Sequence, residues 1–318
     1  MKKYLSYSIF MVLTCFQSCD DVLEEDITDS QVIIIAPIDE AAIEGNSVQF
    51  RWNVLDGADE YRLQVTGENQ FLVLDSLITG TILNYQIDPG EYQWRIRGEN
   101  FAYVSPYTFP SGFVVAASLD LTGQTVTLIT PIDNKYFNDP AISFSWQGIS
   151  TADSYIFQVL KKEGANETLI FEDTNIIETA IILDNTTITD DAEYVWQVKA
   201  QNTTSATNFF KKTFFLDREE PPAPSLLTPT TGQTFATAQE VTFTWSFVDS
   251  GTIKSNIMGT IEISSDENFT TIILTDTNSN DRFLNTFSTS GTFYWRVRGE
   301  DEAGNVGDYS SSGTFTIN

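Results

Sequence analysis

Residues 91–98 alternate between apolar and polar side chains. Tyr92, Trp94 and Ile96 are each separated by one polar residue. A period of two places successive side chains on opposite faces of a β-strand, so one face lies in a core and the other in water. The pattern recurs twice further along the chain, as Tyr194, Trp196, Val198 and as Phe293, Trp295, Val297. We therefore predict three copies of one half-buried strand.

A second alternating strand precedes each of these and also ends in tryptophan. All the tryptophans of the chain fall on these strands, and they are Trp52, Trp94, Trp146, Trp196, Trp245 and Trp295. Equivalent tryptophans recur about every hundred residues, a spacing too long for a solenoid repeat and typical of tandem small domains. Because each is in phase with inward-facing Val, Ile or Phe, we predict that all six fill cores and do not bind sugars.

Short strands with turn signals between them make up each copy, and Asp88-Pro89-Gly90 is one such turn. This pattern indicates an all-β chain built from β-sandwiches. The predicted domains are residues 32–117, 125–217 and 222–318. A short polar link joins the first two, and a proline-rich link joins the second and third and should be semi-rigid.

These residues resemble a fibronectin type III domain. Trp52, Tyr61 and the run from Pro89 to Ile96 stand where that family has its second-strand Trp, its third-strand Tyr and its sixth-strand motif. The resemblance implies three tandem fibronectin type III-like β-sandwiches. It also implies a hydroxyl–backbone bond from the sixth-strand Tyr, which Phe293 cannot make. The third copy further lacks the third-strand Tyr and has Gly259 there.

Charge and composition exclude several classes of function. Lys and Arg number 17 against 44 Asp and Glu, a net charge of −27. Nucleic-acid binding needs clustered cations, so we expect no nucleic-acid partner. The chain has no histidine, which removes the commonest general base and metal ligand. We expect no catalytic residues, no metal and no cofactor, and hence a protein that is not an enzyme.

The N-terminus reads as a targeting signal. Residues 1–18 contain Lys2 and Lys3 and then an apolar run too short to span a bilayer, as in a signal peptide. Cys19 follows the small residue Ser18. This resembles a bacterial lipoprotein signal, which implies cleavage before Cys19 and a lipid anchor on it. Cys15 is a weaker candidate, and an ordinary secretory signal is the alternative.

Residues 19–31 are acidic and have little apolar content, so we predict a solvated, flexible tether. An acidic run directly after the cysteine resembles the surface-export signal of Bacteroidota-type lipoproteins. In other Gram-negative bacteria, Asp20 at that place would instead imply retention at the inner membrane. The resemblance in the repeats favours the outer membrane and the cell surface.

The loop after the sixth strand of the first copy carries the candidate ligand-binding residues. Phe101, Tyr103 and Tyr107 are too crowded to share one inward face. Exposed aromatics on a sandwich loop are typical of binding surfaces. The alternative is that these rings pack over the end of their own sandwich or against the second domain.

Two functions follow from these features. The first is a non-enzymatic, surface-exposed outer-membrane lipoprotein that acts as a protein-binding scaffold accessory of an outer-membrane complex. The alternative is a glycan-binding accessory lipoprotein of a polysaccharide-uptake system, with polysaccharide as its partner.

Overall fold

The computed structural model describes residues 24–248 and 251–318. The predicted signal peptide (1–18), Cys19 and the first part of the predicted tether lie outside the described residues. Within the described part the chain folds into six β-sheets, with one short 3₁₀ turn at Glu68–Gln70. No helix in that part has the length and apolar character needed to cross a bilayer.

The first sandwich pairs a three-stranded sheet, in the order β1-β3-β6, with a five-stranded sheet in the order β2-β8-β7-β4-β5. Its strands are β1 Ile34–Ala36, β2 Ala41–Glu44, β3 Ser47–Trp52, β4 Glu60–Thr66, β5 Leu72–Ile78, β6 Ile82–Gln86, β7 Gly90–Glu99 and β8 Ser111–Ala116. The predicted sixth strand is therefore β7, the centre of the larger sheet.

The second sandwich repeats this arrangement, with sheets in the orders β14-β11-β9 and β10-β16-β15-β12-β13. Its strands are β9 Leu128–Thr130, β10 Lys135–Phe137, β11 Ile142–Trp146, β12 Ser154–Glu163, β13 Asn166–Ile176, β14 Ala180–Leu183, β15 Ala192–Gln201 and β16 Phe210–Leu216. Strand β10 runs parallel to β16, whereas the other pairs in that sheet are antiparallel.

The third sandwich has sheets in the orders β17-β19-β22 and β18-β24-β23-β20-β21. Its strands are β17 Ser225–Thr228, β18 Gln233–Phe235, β19 Glu240–Ser246, β20 Met258–Ser264, β21 Ile272–Asn278, β22 Arg282–Thr286, β23 Gly291–Glu300 and β24 Gly313–Ile317. The chain is thus all-β with three β-sandwiches in sequence, as the alternation pattern predicted.

The chain forms two compact units. The first contains residues 24–42 of the described part, Val48–Tyr85 and Gly90–Val114. The second contains Ile43–Ser47, Gln86–Pro89 and Val115–Asn318, and so includes the second and third sandwiches.

Each sandwich is filled by the inward-facing residues of its two sheets. All six tryptophans are buried, each with 2% or less of its surface exposed. In every sandwich a phenylalanine two residues before the first tryptophan packs edge-on against the second tryptophan. The pairs are Phe50–Trp94 at 5.0 Å, Phe144–Trp196 at 5.3 Å and Phe243–Trp295 at 5.2 Å between ring centroids. Such pairs add about 0.5–1.5 kcal/mol beyond the area they bury.

The sixth-strand aromatic residue stacks on a phenylalanine of the last strand in all three copies. The Tyr194 hydroxyl donates to the backbone carbonyl of Asp190 at 2.7 Å, which is the bond implied by the resemblance. The Tyr92 ring stacks on Phe113 with 5.5 Å between centroids. Tyr194 also stacks on Phe214 at 5.2 Å. Phe293 has no hydroxyl and stacks on Phe315 at 5.4 Å, so the third copy keeps the ring stacking without that hydrogen bond.

The second half of the predicted tether packs against the first sandwich, which corrects the expectation of a flexible segment through residue 31. Ile27 is 1% exposed and its Cδ1 approaches Gly98, beside Leu55 and Ala58. Thr28 donates to Asp26 Oδ1 from both its amide and its hydroxyl, at 3.0 and 2.6 Å. Polar contacts hold the segment as well, because Asn100 Nδ2 donates to the Glu25 carbonyl at 2.8 Å and Gln31 Nε2 donates to the Tyr107 carbonyl at 3.1 Å.

The link before the second sandwich also has a buried apolar residue between a hydrogen-bonded Asp and Thr. Leu121 is fully buried in the second core, and Thr122 donates twice to Asp120 Oδ1. The sequence Asp-Ile-Thr at 26–28 thus repeats as Asp-Leu-Thr at 120–122. The third sandwich lacks this motif, and there Ile257 and Phe247 contact Gly299, the counterpart of Gly98.

Candidate binding face of the first sandwich

The structure separates the three candidate aromatics. Phe101 and Tyr103 lie in the loop that follows β7, where Asn100 Oδ1 accepts the amides of Ala102 and Tyr103 at 3.1 and 2.7 Å. Phe101 is 95% exposed, and Tyr103 is also exposed. Their rings make no contact with another ring or a cation among the described residues. They therefore lie at the loop tip and not over a core.

Tyr107 instead lies on the outer face of the five-stranded sheet. Its ring covers the guanidinium groups of Arg95 and Arg97, whose Cζ atoms stand 4.3 and 4.7 Å from the ring centroid. These distances are in the range of a cation–π contact, worth about 0.5–1 kcal/mol at an exposed site. Tyr107 is thus held in place by two strand cations that alternate with Trp94 and Ile96.

The same arrangement occurs in the other sandwiches. In the third, the Tyr309 ring covers Arg296 and Arg298, with Cζ atoms at 3.8 and 5.0 Å. In the second, Lys199 Nζ lies 4.9 Å from the Phe209 ring. The aromatic residue follows the strand tryptophan at the same spacing in the first two copies and one residue further on in the third. A comparison of the three copies would have revealed this pattern in the sequence.

The cross-strand partner of Arg95 differs from the partners of the equivalent residues Arg296 and Gln197. In the first sandwich, Arg95 Nε and Nη2 donate to the amide oxygen of Gln64 at 3.0 and 2.8 Å. In the third, Arg296 donates from the same two atoms to the carboxylate of Glu262 at 2.9 and 2.7 Å. The second has no charge there, since Gln197 donates to Gln158.

The other cations of the first face are paired with acids. Arg62 bonds Glu99 at 2.8 Å and Asp75 at 3.1 Å, and Arg97 bonds Glu99 at 2.8 Å. Burial alone would raise the pKa of Glu99, but the hydrogen bonds and charges of Arg97 and Arg62 lower it below its usual value. The hydrogen bond from Gln64 lowers the pKa of Asp75, and Arg62 adds to this effect against burial. Among the described residues, Arg95 has no carboxylate partner.

A groove of about 420 Å³ runs beside Arg95 on this face. Three glutamines line it, Gln64, Gln70 and Gln93, together with residues that include Leu72 and Pro110. This volume is within the usual range for small-ligand sites. Arg95 is the only ionised group among the lining residues. Sequence reasoning named Tyr107 but missed Arg95, because a charged residue at an outward strand position reads as ordinary solvated surface.

The acidic loop of the third sandwich is held by its own hydrogen bonds. Asp301 accepts the amide and the side chain of Asn305, both at 2.9 Å. Within residues 24–248 and 251–318, no group of three or more His, Cys, Asp or Glu side chains is arranged to hold a metal ion.

Two solved structures resemble parts of this chain at low sequence identity. The sequence matches no protein family and no curated protein. The FN1-FN3 domains of chicken CNTN1 are similar in structure, with 13% identity and a TM-score of 0.45 over 90% of this chain and 97% of that one. The fibronectin(III)-like modules of Clostridium thermocellum CbhA have 14% identity and a TM-score of 0.37, over 61% and 93%. The sheet orders by themselves show β-sandwiches in tandem.

Proposed function

We propose that this protein is a non-enzymatic, surface-exposed lipoprotein of the outer membrane that acts as a protein-binding scaffold accessory of an outer-membrane complex. The targeting pattern at residues 1–18 and Cys19 supports the lipid anchor, and the acidic residues after Cys19 support export to the surface. A row of β-sandwiches suits a scaffold, because each sandwich presents two broad sheet faces to partners.

The three-stranded sheets carry the observation that favours protein partners. Each exposes two aliphatic side chains on its outer face, one from its first strand and one from its last. The pairs are Ile35 and Ile82, Ile129 and Ile182, and Leu227 and Leu284, which are 40–72% exposed. The first-strand residues repeat one position, two residues before Pro37, Pro131 and Pro229. In the last strands Ile182 and Leu284 are equivalent, whereas Ile82 stands two residues earlier and Asn84 takes their place in the first sandwich. Repeated exposure of aliphatic residues on one sheet face marks a contact surface better than scattered single residues do.

The charge on these sheets supports the same conclusion. Glu240 is the single carboxylate in the nine strands of the three-stranded sheets, although the chain holds 44 acidic residues. The five-stranded sheets carry carboxylates in every sandwich, including Glu99, Glu193 and Glu262. The nine strands hold two further charged residues, Arg51 and Arg282. Such depletion of charge with retention of aliphatic residues is typical of the centre of a protein interface.

Anchoring through Cys19 would keep the first sandwich near the membrane. Because Ile27 is packed into that sandwich, the stretch of chain between Cys19 and the sandwich is short. Six residues reach at most about 20 Å. A partner embedded in the outer membrane would therefore lie within reach of the first sandwich.

Copurification from native membranes in mild detergent tests the scaffold role. We expect the wild-type lipoprotein to bring down an outer-membrane barrel protein, and the double variant Ile129→Ser/Ile182→Ser to lose it. The matched control is Leu169→Ser, which changes a residue of similar exposure on β13 of the other sheet in the same sandwich. Equal recovery of the barrel protein with both variants would rule out the three-stranded face as its binding surface.

Two further measurements test the location. Cys19→Ala should release the protein from the membrane fraction, and protease added to intact cells should digest the wild-type protein. Retention of Cys19→Ala in the membrane, or protection of the wild type in intact cells, would contradict the surface-anchored proposal.

A further inference from the structure

We propose that the groove beside Arg95 binds a glycan that carries a carboxylate, such as a uronic-acid oligosaccharide. This inference does not depend on the scaffold role. It gives the alternative of polysaccharide binding a defined site, on the five-stranded sheet of the first sandwich, and a ligand class.

Arg95 is arranged to receive an anion. Its Nε and Nη2 atoms both donate to the Gln64 side-chain oxygen, and the Tyr107 ring covers the guanidinium with its centroid 4.3 Å from Cζ. Its Nη1 atom has no partner in the part of the chain that the structure describes. Arginine prefers a carboxylate because the bond is charge-assisted and stronger than a bond to a neutral acceptor. A carboxylate from a ligand would supply the negative charge that the neutral side chain of Gln64 cannot.

In the third sandwich the equivalent arginine already has a carboxylate partner within the protein. Arg296 is neutralised by Glu262 and lies between two rings, with its Cζ 4.1 Å from Phe269 and 3.8 Å from Tyr309. The tyrosine hydroxyl also donates to Glu262 at 2.7 Å. Since the strand framework is the same, the change from Glu to Gln at position 64 is what leaves the first cation free for a ligand.

The rest of the groove fits a sugar. Gln70 and Gln93 line the groove, and a glutamine amide can donate to and accept from hydroxyl groups. Phe71 lies in the chain between two lining residues and is 74% exposed, and Phe109 precedes the lining Pro110 and is 88% exposed. Exposed rings beside a polar groove can stack on sugar rings, whereas an acidic peptide would be recognised mainly by cations.

The surrounding charges limit the ligand to few carboxylates. Asp75 is already bonded to Arg62 and to Gln64 Nε2, at 3.1 and 2.9 Å. Glu68 and Glu91 line an adjacent hollow, so an anion can approach only at the Arg95 end. With a net charge of −27 on the chain, a dense polyanion would be repelled, and a short oligosaccharide is the better match.

Isothermal titration of the soluble chain from residue 20 onward with trisaccharides of galacturonate, glucuronate or mannuronate tests the proposal. We expect at least one to bind, and its methyl ester, which keeps the sugar but lacks the charge, to bind at least about 10-fold more weakly. Arg95→Gln should weaken binding by a similar factor. Gln64→Glu, which copies Glu262, should do the same by neutralising Arg95.

Arg296→Gln is the matched control and should leave binding unchanged, and thermal unfolding should show that each variant is folded. Absence of binding to all three trisaccharides would overturn the proposal. Equal binding of acid and ester, or equal binding of Arg95→Gln and wild type, would also overturn it. Equal or tighter binding of triglutamate would overturn the assignment to glycans.

Discussion

Trp245 lies directly over the backbone of Gly259. A Cβ at Gly259 would stand 2.5 Å from the Trp245 indole Nε1. In the first sandwich the corresponding tryptophan, Trp52, instead packs against Tyr61 with 5.5 Å between ring centroids. The glycine that departs from the fibronectin pattern is therefore part of a different packing solution, in which the indole fills the space of the missing tyrosine.

This packing predicts that Gly259→Ala destabilises the second unit by about 1–3 kcal/mol, since a methyl group must displace a rigid indole in a closed core. Gly123→Ala is the control, because Gly123 lies in the same unit and a Cβ there would meet nothing within 4 Å. Chemical denaturation of both variants measures the difference. Equal stabilities would show that the third core can absorb the methyl group.

Ile27 should contribute strongly to the stability of the first unit although it lies in an acidic segment. Ile27→Ala should cost about 2–5 kcal/mol, the usual range for a buried isoleucine. Ile33→Ala is the control because Ile33 is mostly exposed, and a change within about 0.5 kcal/mol is expected there. If Ile27→Ala lost no more stability than Ile33→Ala, the segment around Ile27 would contribute nothing to the fold and would be a simple tether.

Trp94 should be essential to the first core. Its indole Nε1 donates to the carbonyl of Pro37 at 3.0 Å, and its ring meets Phe50 edge-on. Trp94→Ala should cost about 3–5 kcal/mol, enough to unfold a marginal domain. Thermal unfolding of this variant beside Val54→Ala, a mostly exposed position, measures the effect. An unchanged transition in Trp94→Ala would be incompatible with a core role.

Asp217 should make the stability of the second unit depend on pH. Burial raises the pKa of this carboxyl from 3.8 to about 6; the hydrogen bond from the Glu219 amide opposes the shift, and the negative charges of Asp301, Asp191 and Glu219 add to it. A raised pKa means that the folded state binds the proton more tightly than the unfolded state does. Charged Asp217 therefore costs stability above about pH 6, and this cost is relieved as pH falls toward 4.

Asp217→Asn removes the charge and keeps an oxygen to accept the Glu219 amide. We expect this variant to unfold at a higher temperature than wild type at pH 7, and the difference to shrink as pH falls from 6 to 4. Comparison of the two proteins at each pH cancels the other carboxylates. A difference that stays constant over this range would show that Asp217 has an ordinary pKa in the folded state.

The candidate site was only partly predictable. The crowding of Phe101, Tyr103 and Tyr107 indicated exposed rings, and Phe101 is exposed. That Tyr107 leaves the loop tip and covers Arg95 depends on where the chain turns back toward β8, which a single copy of the motif does not specify. The burial of Ile27 was not predicted because the composition of residues 19–31 averages over the whole segment. Packing of this segment depends on its individual side chains, and Ile27 is one that fits against the sandwich.

The sequence by itself determined the alternating strands, the inward tryptophans and the repetition of one sandwich. These features follow from the period-two geometry of a β-strand, which is local and is written in consecutive residues. Only the tertiary structure decided that Gln64 faces Arg95 whereas Glu262 faces Arg296. Those partners lie on strands about thirty residues apart, and cross-strand neighbours are set by the register of the sheet rather than by adjacent sequence.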